Sequence, residues 1–400
     1  MKEQAIPFHR PSIGPEELEA VRLVLESKWL ATGPVTMKFE HEFAEFVDSK
    51  YAIAVNSCTA ALHLALDAIG IKPGDEVLIP TYTFAATGEV VTYFGAHPIL
   101  CDSIPGGFNI DPADVLRRIT AKTRAIITVH IAGEPSDLGA LRQIADEHSL
   151  YLVEDAAHAL PATYAGQKIG SISDLTAFSF YATKTITTGE GGMLTTNNPE
   201  YAKRASIMRL HGINGDAWKR YTSEGSWYYE VVAAGFKANM PDLLAALGLA
   251  QLKKANTFHQ RRCEIADTYI QHFSQVDELE LPPLDALNTT HSWHLFILRL
   301  KLGSSSLDRG ELIKELKRKG IGTSVHFIPL HLHPHYRDRY GYKPGDFPCA
   351  EDAYSRCISL PIYPDMTDDD VTRVASSVEQ YIADSCRRGR VTAVKTRKTA

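Results

Sequence analysis

Residues 151–157 read YLVEDAA, and residues 175–196 read LTAFSFYATKTITTGEGGMLTT. Each opens as a run of apolar, aromatic and β-branched residues of the length of a buried strand. The first run, Tyr151–Glu154, ends on two acids, Glu154 and Asp155. The second, Leu175–Phe180, leads to Lys184, 29 positions after Asp155, and then to a turn containing Gly189, Gly191 and Gly192. Working outward, Glu76–Ile79 and Ala125–His130 read as further strands. A helical pattern over Asp137–His148 separates two of these runs, with Ser136 placed to cap it. Strand, helix and strand at this spacing predict an α/β fold with a mostly parallel sheet and helices on both faces. Ligands of such sheets bind beyond the carboxyl ends of the strands. Asp155 and Lys184 both fall there.

The flanking pattern divides the chain. Glu16–Ser27 and Thr59–Ile69 repeat apolar residues at helical spacing, and Gly70 stops the second helix. A long helix is expected over Asp242–Phe273. Beyond it come a strand (Trp293–Leu300), a helix (Asp308–Lys319), a strand (Gly322–Phe327) and a last helix (Thr367–Ala383), where Thr367 and Asp370 form a capping box. The expected organisation is a large domain over 1–260, a smaller C-terminal α/β domain over 261–385 and a basic, disordered tail over 386–400. The Gly-, Tyr- and Trp-rich stretch 211–235 reads as a long functional loop.

The 400 residues carry a formal charge of −6, from 42 basic and 48 acidic side chains. Six of the bases lie in the last fourteen residues, so the body alone stands at 36 − 48 = −12. An acidic body repels nucleic acid and anionic membrane, and neither is expected as a partner. No apolar run reaches membrane-spanning length. Six scattered cysteines without a C-x-x-C pair fit reduced thiols in the cytoplasm rather than a disulfide frame or zinc ribbon.

Four local features suit one chemical task. Asp155 offers an acid at a strand end. Lys184 offers an amine set between aromatic residues and a glycine-rich turn, where partial desolvation makes a lysine a carbonyl-capturing nucleophile. The segment from Asn56 to Ala61 (NSCTAA) opens a helix whose free amides favour a phosphate. The segment Pro80–Phe84 (PTYTF) puts a ring on a strand-end loop, where it can stack on a planar group. Taken singly, each has an ordinary reading: an exposed acid pair, a solvated lysine, a helix cap, a core aromatic. Together they match the needs of pyridoxal 5'-phosphate.

Seven motifs carry a family resemblance: KWLATGP (Lys28–Pro34), NSCTAALHLAL (Asn56–Leu66), GDEVLIPTYTF (Gly74–Phe84), EDAAHA (Glu154–Ala159), SFYATK with TTGEGG, GFKANM followed by ALGLAQL (Gly235–Leu252), and HFIPLHLHP (His326–Pro334). From about Ile6 to Ala383 the chain resembles the DegT-like (DegT/StrS) pyridoxal-phosphate-dependent nucleotide-sugar aminotransferases. The resemblance implies an aspartate-aminotransferase-like (type I) fold. It implies that Lys184 carries the cofactor and that Asp155 pairs with the pyridine nitrogen. His158 is implied beside the ring hydroxyl, Phe84 against the ring, and Thr59, the amide of Ala60 and Ser179 at the phosphate. Asn239 is implied to reach the phosphate of a neighbouring subunit, making a homodimer with shared active sites. Tyr181, Tyr229, His326 and His331 are expected near the substrate.

Thr185-Ile186 departs from the family pattern, in which asparagine often follows the lysine. The implied reaction moves an amino group from an amino-acid donor, glutamate, to a nucleotide-diphosphate keto sugar, with KWLATGP resembling members that act at C4. Relatives that dehydrate sugars replace the lysine with histidine, and Lys184 argues against them. A regulator that keeps the fold is disfavoured for the same reason. A dinucleotide oxidoreductase is excluded because no G-x-G-x-x-G opens a helix. His331, His333 and His335 alternate, but Pro329 and Pro334 interrupt them and no acid follows at ligand spacing, so no metal is expected.

Overall fold

The computed structural model describes residues 4–214, 228–283, 288–301 and 307–398. The expected loop over 211–235 therefore lies partly outside the described residues. Seven strands form the main sheet: β1 (Tyr51–Val55), β2 (Glu76–Pro80), β3 (His97–Cys101), β4 (Thr123–Val129), β5 (Tyr151–Asp155), β8 (Leu175–Ser179) and β9 (Gly192–Thr196). A small hairpin, β6 (Thr163–Tyr164) and β7 (Gln167–Lys168), stands apart from it. The order is β1-β9-β8-β5-β4-β2-β3. The five strands β3, β2, β4, β5 and β8 pair in parallel, while β9 runs antiparallel to both β8 and β1.

Period-2 alternation explains the two-sided burial. Val77 and Ile79 join one apolar cluster and Leu78 the other; Ile53 and Val55 join the first and Ala54 the second. The helix Asp242–Phe273 has 32 residues, about 48 Å at 1.5 Å per residue. Its first half packs Ala245, Leu252, Ala255 and Phe258 into the second cluster. Its second half packs Ile265, Ala266, Tyr269 and Phe273 into a third, beside the sheet β10 (Leu279–Glu280), β11 (Phe296–Leu300) and β12 (Cys357–Leu360). The boundary expected at residue 260 thus falls inside one rigid helix. Ile6 belongs to the third cluster, whereas Leu330, Tyr336 and Phe347 pack on the first.

Four expectations are corrected. Asp137, not Ser136, caps the helix Leu138–Glu147, accepting from Ala140 N–H at 3.1 Å. Ser136 instead accepts from Thr128 Oγ1 (2.8 Å) and donates to the carbonyl of Val129 (3.1 Å). Trp293–Leu295 is not strand, because the carbonyls of Trp293 and His294 accept from Arg262 rather than from a neighbouring strand. Residues 322–327 form no strand either. Only Ser324 bridges to Ser359, after which the chain leaves the sheet. Finally, the last helix runs Asp368–Lys398, past Ala383 and through most of the segment expected to be a disordered tail. No proline lies between Ala383 and Lys398 to stop it. Its start is as expected, with Thr367 and Asp370 each accepting from the other's N–H at 3.1 Å.

Candidate active site

A cavity of about 490 Å³ opens at the carboxyl ends of β5 and β8, roofed by the chain near residues 324–327 and by Phe8 and His9. Its floor includes the start of the helix Cys58–Ala68. Ser57 caps that helix, accepting from Ala60 N–H at 3.1 Å. Gly192 makes the close approach possible: a Cβ there would lie 2.5 Å from the backbone carbon of Ser57 and 2.7 Å from the nitrogen of Cys58. Thr59 and Ser179 therefore face one cavity at a helix N-terminus, where amide dipoles favour an anion.

Strand alternation separates the two acids of β5. Glu154 turns away from the cavity and is fully buried. It accepts from His130 Nε2 (2.8 Å), Thr176 Oγ1 (2.8 Å) and Ser173 N–H (3.3 Å). His130 Nδ1 accepts from Ser136 N–H at 3.0 Å, so its proton sits on Nε2. Asp155 turns into the cavity. Its Oδ2 accepts from Thr87 Oγ1 at 2.9 Å, and Thr83 Oγ1 lies 2.8 Å from that hydroxyl. Its Oδ1 accepts from Ala157 N–H at 3.2 Å and from Cys58 Sγ at 3.9 Å. Burial pushes the Asp155 carboxyl up; the Thr87 hydroxyl, the Ala157 amide and the Lys184 charge oppose it.

Lys184 sits on a turn closed by its own N–H to the carbonyl of Tyr181 at 2.9 Å. The segment behind it is anchored by Thr187, whose hydroxyl donates to the carbonyl of Phe180 (3.0 Å) and accepts from Gly189 N–H (2.8 Å). Gly189 has φ +80, the left-handed conformation that glycine adopts without strain. The residue lines the cavity and is half-buried, which desolvates its amine. That desolvation lowers it to about 8, against the raising fields of Cys58 and Asp155. About a tenth of the amine is then unprotonated at pH 7, far more than of an ordinary lysine, as a nucleophilic lysine requires.

His158 also lines the cavity and is 6% exposed. The Phe327 ring stacks on it at 5.8 Å, and the His294 ring lies 4.4 Å away. Burial, then the neighbouring cations, hold it well below the ordinary histidine range, so it is neutral. Its Nδ1 is buried without a partner. Phe84 and Tyr181 stand at the mouth of the cavity, both exposed in the single chain.

Of the residues singled out in the sequence, Thr59, Phe84, Asp155, His158, Ser179, Tyr181, Lys184 and His326 converge on this cavity. The Ala60 amide is engaged by Ser57. Asn239 lies outside: its Nδ2 donates to Thr32 Oγ1 at 2.6 Å, which ties GFKANM to KWLATGP. Tyr229 is exposed and outside as well. His331 is corrected to a structural role. It is fully buried away from the cavity, with Thr81 Oγ1 2.8 Å from Nδ1 and Glu351 Oε1 3.0 Å from Nε2. Among the described residues, no three histidine, cysteine or acidic side chains are placed to hold a metal. Phe8, His9, Thr83, His294 and Phe327 line the cavity without having been singled out. Only Thr83 and its partner Thr87 carried a signal, the i, i+4 spacing beyond β2.

The DegT/DnrJ/EryC1/StrS aminotransferase family matches residues 11–379. The chain belongs to that family. It is 48% identical over 378 residues to the spore coat polysaccharide biosynthesis protein SpsC of Bacillus subtilis, covering 94% of this chain and 97% of that one. Spr1654 of Streptococcus pneumoniae, assigned as a sugar aminotransferase and solved in its PLP form, superposes with a TM-score of 0.89 at 33% identity, covering 96% of this chain and 100% of that one. PseC of Helicobacter pylori, an aminotransferase involved in the biosynthesis of pseudoaminic acid, superposes with a TM-score of 0.88 at 29% identity, covering 95% and 100%. The chain is a pyridoxal-phosphate-dependent sugar aminotransferase. Its cavity suits that cofactor. The glycine-permitted cradle at Ser57–Thr59 fits a phosphate, Asp155 and Lys184 sit in the same enclosure, and the orphaned His158 Nδ1 awaits a polar partner.

Proposed function

We propose that the protein transfers an amino group from glutamate to C4 of a keto sugar carried on a nucleoside diphosphate. The observation that carries this reading is the convergence of Asp155, Lys184 and His158 in one cavity beside the amino end of the helix Cys58–Ala68. Bound pyridoxal phosphate supplies an electron sink for the carbon that bears the reacting amine. The chain's residues do the rest. Thr59 and Ser179 would hold the phosphate at the helix N-terminus. Asp155, itself held by Thr87 and Ala157, would keep a proton on the ring nitrogen. His158 would meet the ring hydroxyl, and Phe84 would cover a ring face and exclude water. Lys184, lowered to about 8, would hold the cofactor through its amine and carry the proton at the donor's α-carbon.

The sugar-nucleotide acceptor and the C4 position rest on the likeness of KWLATGP to members that act there. The relatives involved in pseudoaminic acid and spore coat polysaccharide biosynthesis support a role in making amino sugars for polysaccharide. Asn239 lies outside its own chain's cavity and on the same ridge as Thr32. That position is compatible with service to the phosphate of a second subunit, in a homodimer with two shared sites. The test is a spectroscopic half-reaction of the loaded protein against a panel of nucleotide-linked amino sugars. A 4-amino sugar nucleotide should return the cofactor to its amine-bearing state. Reaction only with 3-amino sugars, or with free amino sugars as readily as with linked ones, would overturn the reading.

A further inference from the structure

A buried cation without an anion is costly, and this protein keeps one directly behind the cavity wall. Arg262, on the helix Asp242–Phe273, is fully buried. Its Nη1 donates to the carbonyls of Trp293 (3.1 Å), His294 (3.3 Å) and Ile362 (2.7 Å). Its Nε and Nη2 have no partner among the described residues. Burial alone lowers its pKa to about 10, and no carboxylate field opposes the shift. The arginine stays charged at neutral pH. His294 and Ile362, whose carbonyls it holds, both line the cavity.

His294 is 5% exposed, and its Nδ1 is buried without a partner among the described residues. His326 lines the same cavity with Nδ1 fixed 2.9 Å from Ser359 Oγ, which leaves Nε2 as its other polar atom. Burial, followed by neighbouring positive groups, holds both imidazoles neutral, His326 at about 4. Each neutral ring carries one N–H, and at His326 it stands on Nε2 when the Ser359 hydroxyl donates to Nδ1. His9 is different: it donates Nε2–H to the carbonyl of Ala182 at 3.0 Å and has only an acceptor left. Among the described lining residues, Lys184 is the one ammonium or guanidinium, and the cofactor engages it.

We propose that His294 and His326 form the seat of the amino donor's carboxylate, with Arg262 behind His294 supplying the compensating positive charge. This deepens the reading given above and rests on it. Two anions enter the reaction, the donor's carboxylate and the acceptor's diphosphate. The carboxylate is attached to the carbon that bears the reacting amine, so it must sit beside Lys184. The diphosphate is a whole sugar ring away. His294 and His326 line the same cavity as Lys184, which selects the carboxylate.

The test is calorimetric titration of the cofactor-loaded protein with glutarate, a dicarboxylate lacking the amine, and in parallel with uridine diphosphate. His294→Asn, His326→Asn and Arg262→Met should each raise the glutarate Kd about tenfold or more while changing the uridine diphosphate Kd less than twofold. If Arg262→Met does not fold, the two histidine variants decide. An unchanged glutarate Kd in both histidine variants overturns the seat. So does a selective loss of uridine diphosphate, which would assign the wall to the acceptor. If the wild type takes another amino acid but not glutamate as donor, and glutarate binding still falls in the variants, the seat stands and the glutamate reading fails.

Discussion

Replacing Lys184 with methionine in the cofactor-stripped protein should stabilise it, and by an amount that depends on pH. Desolvation lowers the amine to about 8 in the fold against an ordinary 10.5. Between those values the unfolded chain binds a proton that the folded chain has released, so wild-type stability rises with pH. Below pH 8 the folded protein must keep a charge in a desolvated site, and the full penalty applies. At about 1.4 kcal/mol per pKa unit, the penalty is about 3 kcal/mol at pH 7, about 2 kcal/mol at pH 9, and close to nothing above pH 11. Methionine has no such dependence. Chemical denaturation of both proteins across pH 7–11 reads the difference, from which titrating groups remote from Lys184 cancel. The excess stability of Lys184→Met should shrink by about 1 kcal/mol between pH 7 and 9 and by about 3 kcal/mol by pH 11. A gap that stays flat over that range would refute the reasoning, because the amine would then be an ordinary lysine with no built-in activation.

Thr87→Val keeps the shape of a fully buried side chain but removes the hydroxyl from Asp155 Oδ2. A hydrogen bond to a charged group is worth roughly 1.5–3 kcal/mol, so cofactor affinity measured by equilibrium dialysis should fall by about tenfold or more. A change under twofold would remove Thr87 from the account. Asp155→Asn keeps the fold and should lower the half-reaction rate with glutamate by roughly 10²–10³, the range of other preorganised electrostatic groups; a near-normal rate in stopped-flow assays would give the role to another residue. Lys184→Ala mixed with Asn239→Ala should recover up to one working site per heterodimer, and mixtures that stay dead would count against shared sites.

Much of the site was legible because it is local. The alternation of β5 separates Glu154 from Asp155, and the turn glycines bring Lys184 back beneath β8. Both follow from period and turn chemistry, which the sequence carries over a few residues. Most of the roof was not legible. Phe8, His9 and His294 come from segments nearly three hundred residues apart, and only tertiary packing assembles them around His326, which was expected near the substrate. His326 and His331 look alike in the sequence. His326 precedes the 3-10 turn Leu330–Leu332 and lines the cavity, whereas His331 lies inside that turn and is buried against Thr81 and Glu351. Ser136, expected as the cap of the helix Leu138–Glu147, stands one residue before the true cap, Asp137. The strand carbonyl at Val129 took the serine's hydroxyl and left the cap to the acid.

The most direct test of the account is reduction of the loaded protein with borohydride, followed by peptide mapping by mass spectrometry. The account predicts a yellow protein whose absorbance bleaches on reduction, with one phosphopyridoxyl adduct per chain, on the peptide bearing Lys184. An adduct on any other lysine, or no covalent adduct in protein that turns over, would contradict it.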